Sequence, residues 1–153
     1  MREAQMEDRS QELRPELRPD LRPAGIVAAP PRTILVADDE AHILHVVSLK
    51  LRNAGYRVIT AKDGQEALEI AAAERPDLII TDYHMPQLSG LELCQRLKAD
   101  PVTSKIPAVM LTARGYHLEA QDTEQSGISR VLSKPFSPRQ LLSTVNELLG
   151  VAA

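Results

Sequence analysis

Five polar side chains spread over residues 38–134 share one property: each closes or directly follows a short apolar run. Asp38 and Asp39 end "ILVADDE", Asp82 ends "DLIITD", Thr112 lies near the end of "IPAVMLTA", and Lys134 follows "SRVLS". If those runs are neighbouring parallel strands, all five side chains meet at one edge of a sheet. Three carboxylates crowded together repel one another, and one of them takes up a proton unless a cation is present. An all-oxygen ligand set suits a hard divalent ion, and Mg²⁺ commonly combines a few carboxylates with waters and phosphate oxygens. Asp38, Asp39 and Asp82 are therefore the expected Mg²⁺ ligands. The Thr112 hydroxyl can donate to a phosphoryl oxygen, and the Lys134 ammonium can meet its charge. Asp82 then has a second role, as a carboxylate nucleophile that becomes an aspartyl phosphate. Taken singly, Asp38 and Asp39 could cap a helix, and Asp82 could open a turn into "HMP". Their joint placement with Thr112 and Lys134 favours the metal and phosphoryl reading.

The elements that must position these residues are legible in the apolar pattern. "TILVA" is short, apolar and β-branched, as a buried strand should be. Ala41, Leu44, Val47, Leu51 and Ala54 recur at helical spacing, and Gly55 supplies a stop. A second strand is expected over 56–61, followed by a turn, a helix and a proline stop in "DGQEALEIAAAERP", where Gly64 allows a tight bend. A third strand is expected over 77–82 with a helix over 88–99, and a fourth strand within 106–113. The next helix, over 116–126, has a polar pattern. A fifth strand follows over 129–133. The last helix starts with Ser137 as N-cap and Pro138 in the first turn. Its buried stripe is Leu141, Leu142, Val145, Leu148 and Leu149. Alternating near-continuous apolar strands and helices imply a doubly wound α/β fold. Crossovers are right-handed and ligands bind at the carboxyl ends of the strands.

Before residue 33 the pattern differs. The 1–32 segment carries "ELRP", "ELRP" and "DLRP", with six acids and six arginines. Proline at every fourth position blocks a continuous helix, so an extended, disordered arm is expected there, with a domain over 33–150. The whole chain has 153 residues, a formal charge of −3 and 43% hydrophobic residues, of which few are aromatic. That balance suits one aliphatic core and disfavours a general nucleic-acid binder. Cys94 stands alone, so no intrachain disulfide forms, and a small buried hydrophobe is its simplest role. With no apolar leader and no run of ~18 apolar residues, a cytoplasmic protein without membrane contact is expected.

The pieces "ILVADDE", "GYRVITAKDGQEAL", "PDLIITDYHMPQLSGLEL", "IPAVMLTA" and "SKPF", in this order and with these gaps, resemble the receiver domain of two-component response regulators over 33–149. The resemblance implies a flavodoxin-like, five-stranded parallel sheet of order 2-1-3-4-5. It implies that Asp82 accepts phosphate from a sensor histidine kinase or a histidine phosphotransfer protein, and that Asp38 and Asp39 help to bind Mg²⁺. Thr112 and Lys134 then contact the phosphoryl group, and the Lys134–Pro135 bond is cis. The backbone carbonyl of His84 matches the family's remaining protein ligand to the metal. One departure is Val131, where the family often carries the Tyr or Phe that turns inward as the threonine moves. The resemblance extends to single-domain regulators that act by docking an unidentified protein target. The charge balance leads to an expectation of no direct nucleic-acid contact, and the final helix could mediate a dimer, so a monomer or weak homodimer is expected. Such a module phosphorylates and dephosphorylates only itself.

Two other functions compete. Haloacid-dehalogenase-type phosphatases also use an Asp nucleophile, but pair it with a second Asp two residues on, where this chain has His84. A receiver-shaped scaffold independent of phosphate would be favoured by loss of an acid, the threonine or the lysine, and all are present. His42 and His45 could lie together on the first helix, but no acid or cysteine completes a metal site with them.

Overall fold

The computed structural model describes residues 30–113 and 120–150. The chain separates into two units, Met1–Pro30 and Pro31–Ala153. All that follows concerns the second, and the expected arm lies outside the described residues up to position 29. Among the described residues five strands alternate with five helices. They are β1 (Thr33–Ala37), α1 (Ala41–Asn53), β2 (Arg57–Ala61), α2 (Gly64–Glu74), β3 (Leu78–Asp82), α3 (Gly90–Ala99), β4 (Ala108–Thr112), α4 (Ala120–Ser126), β5 (Ile128–Ser133) and α5 (Pro138–Leu149). All pairings are parallel, in the order β2-β1-β3-β4-β5. This is the doubly wound sheet expected from the alternating pattern.

Side chains of successive strand residues point to opposite faces, and the core divides accordingly. Ile34, Val36, Leu78, Ile80, Val109 and Leu111 pack with α1 and α5 through Val47, Leu51, Leu141, Val145 and Leu149. Leu35, Ala37 and Ile79 pack on the other face, with Ala67 and Ala71 of α2 and Leu93 and Leu97 of α3. Small alanines on α2 bring that helix close to the sheet. On α5, Leu142 and Leu148 of the expected stripe are partly buried against the first cluster. Ala41 of α1 and Ala54, the residue that caps its end, fall outside the buried face, which is carried by Val47, Ser48 and Leu51.

Local chemistry sets the helix starts. Ser137 accepts a hydrogen bond from the Gln140 amide at 2.9 Å, and Pro138 opens α5, as expected. Asp63 caps α2 by accepting from the Glu66 amide at 2.8 Å. Helix α3 begins at Gly90 rather than at residue 88, because Ser89 and Glu92 form a reciprocal capping box. Gly64 does not supply a bend through unusual backbone angles. It is required because a Cβ there would lie 2.3 Å from the Leu88 carbonyl oxygen. Helix α4 is observed over Ala120–Ser126, and the earlier part of its expected span lies outside the described residues. Among the described residues no helix is long and apolar enough to cross a membrane.

Candidate phosphoacceptor and metal site

Strand register brings the site together. Ala37 pairs with Thr81, so the next residues, Asp38 and Asp82, leave the sheet side by side. Asp82 pairs with Leu111, which places Thr112 one step beyond it. Thr112 pairs with Ser133, and the Lys134 amide then donates to the Thr112 carbonyl at 2.8 Å. Residues distant in sequence thus meet at the carboxyl edge because each of these four strands stops within a residue of its neighbour.

The three acids converge. One carboxylate oxygen each from Asp38, Asp39 and Asp82 lie within 4.8 Å of one another. Asp38 is fully buried and Asp82 nearly so, whereas Asp39 is exposed. Asp38 does not cap α1. Its Oδ1 accepts from the Glu40 amide at 2.9 Å, and the N-cap residue of that helix is Glu40. Lys134 Nζ sits among the acids, 3.1 Å from Asp82 Oδ1, 3.5 Å from Asp38 Oδ2 and 3.4 Å from Glu40 Oε1. The Lys134–Pro135 bond is cis. Thr112 is buried, and its Oγ1 has no hydrogen-bond partner among the described residues. A buried hydroxyl without a partner carries a desolvation cost, which an incoming acceptor oxygen would relieve.

Ionisation reflects this crowding. Burial pushes the Asp38 carboxyl up to about 6, and the neighbouring Asp82 charge adds to the rise against the opposing Glu40 amide hydrogen bond. Burial also raises Asp82, although its hydrogen bond to Lys134 works in the opposite direction. Burial acts to lower the Lys134 pKa, but its contacts with Asp82, Asp38 and Glu40 outweigh that and raise it. Burial strips these carboxylates of solvating water and leaves their charged forms with a deficit of stabilisation, which positive charge can supply. An oxygen-only donor set with that deficit fits a divalent hard cation, and Asp38, Asp39 and Asp82 are the residues that would hold it.

The other candidates fall elsewhere. His84 lies two residues past Asp82, and its ring stands edge-on to Tyr83 at 4.8 Å and 77°. Val131 is on β5, 39% exposed, and takes no part in the cluster. His42 and His45 belong to no metal-ligating group among the described residues. His42 instead lines an apolar groove of about 540 Å³ beside Lys134, with Ile43, Val46, Pro135 and Phe136. Cys94 is buried, which pushes its thiol up to about 12. Sequence reasoning missed Glu40 as a partner of Lys134, since no spacing rule links residues 40 and 134. It also missed Gly90, where a Cβ would lie 2.2 Å from the Asp82 carbonyl oxygen. Its position just past a capping serine was the available signal.

Comparison with known proteins agrees with this geometry. The model of the response regulator receiver domain matches residues 34–146. The phosphate regulon transcriptional regulatory protein PhoB of Pseudomonas aeruginosa is 39% identical over 118 residues, covering 77% of this chain and 52% of PhoB. The chain thus spans about half the length of the curated relatives it matches. A relative named as a transcriptional regulator lends no support to the expectation of no nucleic-acid contact. The chemotaxis response regulator CheY4 of Vibrio cholerae superposes with a TM-score of 0.72 at 36% identity, covering 77% of this chain and 98% of that one. The receiver domain of the sensor histidine kinase PA1611 from Pseudomonas aeruginosa has a TM-score of 0.71 at 28% identity, over 78% of this chain and 98% of that one. Its structure has a magnesium ion coordinated in the active site cleft. Sheet order, the acidic cluster and the span of the match lead to one conclusion: this chain belongs to the response regulator receiver domain family, the phosphoacceptor modules of two-component signalling.

Proposed function

We propose that Asp82 accepts a phosphoryl group from a phosphohistidine of a sensor histidine kinase or histidine phosphotransfer protein, and that the phosphorylated form binds a protein partner differently. The observation that carries this is the placement of Lys134 Nζ 3.1 Å from Asp82 Oδ1 within a cluster of acids, next to the unpartnered Thr112 hydroxyl. A carboxylate oxygen of Asp82 forms a bond to phosphorus as the donor's phosphorus–nitrogen bond breaks, and the electron pair leaves on the imidazole nitrogen. Asp82 becomes an acyl phosphate and loses its negative oxygen to the new bond. Lys134 then exchanges its Asp82 contact for a phosphoryl oxygen, and Thr112 donates its hydroxyl to another. Asp38, Asp39, Asp82 and the His84 carbonyl would hold Mg²⁺, which supplies charge neutralisation for the phosphoryl oxygens. The chain acts on itself alone, in a cytoplasmic setting, and its output is a population shift between two conformations.

Incubation with Mg²⁺ and a small acyl-phosphate donor tests the reading directly. The unaltered chain should gain one phosphoryl mass, labile as an acyl phosphate, and Asp82→Asn should gain none while keeping its circular dichroism spectrum. Stable labelling of the Asp82→Asn protein would place the acceptor elsewhere. A phosphate-independent scaffold predicts no uptake by either protein. A phosphohydrolase predicts sustained turnover of a small phosphate ester, with no acid available at position 84 to assist it.

A further inference from the structure

Glu40 stands at the N-cap of α1, where a side chain normally accepts from the helix's own amides. It makes no such bond. Its carboxylate instead reaches Lys134, with Oε1 3.4 Å from Nζ and the glutamate side chain 61% exposed against 24% for the lysine. The other two partners of Lys134 are Asp82 and Asp38, two of the acids that would hold Mg²⁺. A cation entering that cluster and the lysine ammonium compete for the same two carboxylates. The ammonium gives way most easily if a carboxylate outside the metal set is already within reach. Glu40 is that carboxylate: on the solvent side of the site, adjacent in sequence to Asp39, and spent on nothing else its helix requires.

We propose that Glu40 is a positioning residue that receives the Lys134 ammonium when Mg²⁺ occupies the acidic cluster, lowering the lysine's competition with the metal while keeping it beside Asp82. The inference rests on the phosphoacceptor reading above and deepens it. Retaining one charge-assisted contact through the exchange means that Lys134 stays on the α1 side of the cluster, one stem rotation from an arriving phosphoryl oxygen.

Mg²⁺ affinity measured by titration calorimetry on the full chain, without any phosphoryl donor, tests this. Glu40→Gln should weaken Mg²⁺ binding about five-fold, the size expected of a coupled pair in contact. In a Lys134→Met background, where no ammonium needs a place, the same substitution should change affinity by less than about two-fold. Glu40→Asp keeps the charge but shortens the side chain and suits the N-cap, so its carboxylate turns to the α1 amides. It should therefore lose affinity as Glu40→Gln does. An equal effect of Glu40→Gln with and without Lys134, or wild-type affinity in Glu40→Asp, would show a simple field effect and overturn the proposal. So would unchanged affinity in Glu40→Gln. Failure of the unaltered chain to bind Mg²⁺ is a separate result that removes the metal reading itself, before any variant is compared.

Discussion

The centre of the sheet and its β5 flank are built to different standards. Every residue of β3 and β4 is buried, as are the last four of β1, while no residue of β5 is. The flank beside it rests on fewer constraints: a seven-residue α4 whose C-terminal end is met by Lys98 donating to the Glu124 carbonyl, and an exposed Arg130–Glu147 pair at 3.3 Å. Exposed pairs of that kind contribute little. The difference teaches where each task resides. Asp38, Asp82 and Thr112 are the final residues of rigid central strands or lie one step beyond them, so their separations are fixed by packing. The flank has fewer buried residues to fix it, so its stability rests on weaker contacts than those of the centre.

Breaking the centre should cost most. Gly90→Ala puts a Cβ against the Asp82 carbonyl oxygen and the Met110 sulfur, both backbone-fixed or buried neighbours. Urea denaturation should show a loss of about 2–4 kcal/mol, from overpacking that the site cannot relax. A loss below about 0.5 kcal/mol would mean that the centre yields as readily as the flank.

A smaller effect of opposite sign is expected at Asp38. Its carboxyl is raised to about 6 in the folded chain, above its ordinary value of 3.8. The folded state therefore binds the proton more tightly, so this residue's stabilising contribution is complete below pH 4 and is lost as pH rises through 6. Without a divalent ion, Asp38→Asn should match the unaltered chain near pH 4 and exceed it by about 1–2 kcal/mol at pH 7. Added Mg²⁺ should close or reverse that gap, because only the unaltered chain gains binding free energy. A gap that does not change between pH 4 and pH 7 would remove burial and repulsion as the cause.

The least effect belongs to the flank. Val131→Tyr, at a 39% exposed position, should alter stability by less than about 0.5 kcal/mol. Mg²⁺ affinity and the initial rate of phosphoryl uptake should stay within about two-fold. A large change in either would tie the flank to the chemistry more tightly than the packing suggests, and the two regions would no longer be separable.

The same contrast decides what the sequence disclosed. The central strands were legible because burial on both faces leaves uninterrupted apolar runs, and α5 because Ser137, Pro138 and a leucine stripe agree. Helix α4 was poorly legible, since its residues are mostly polar. Helix α3 was expected two residues early because Leu88 fits the apolar pattern, yet Ser89 and Glu92 fix the start. The convergence of Asp38, Asp39, Asp82, Thr112 and Lys134 could be expected from strand ends alone. The Lys134–Glu40 contact and the tight approaches at Gly64 and Gly90 are products of register and helix placement, which no local pattern encodes.

The segment from Tyr83 to Ser89 runs between those two glycines: a Cβ at Gly64 would strike Leu88 near its end, and one at Gly90 would strike Asp82 at its beginning. Between them Gln87 takes a left-handed backbone angle of φ 73. Hydrogen alone fits at either anchor, so any larger side chain at position 64 or 90 would push this stretch away from the helix it rests on and carry the end of β3 with it.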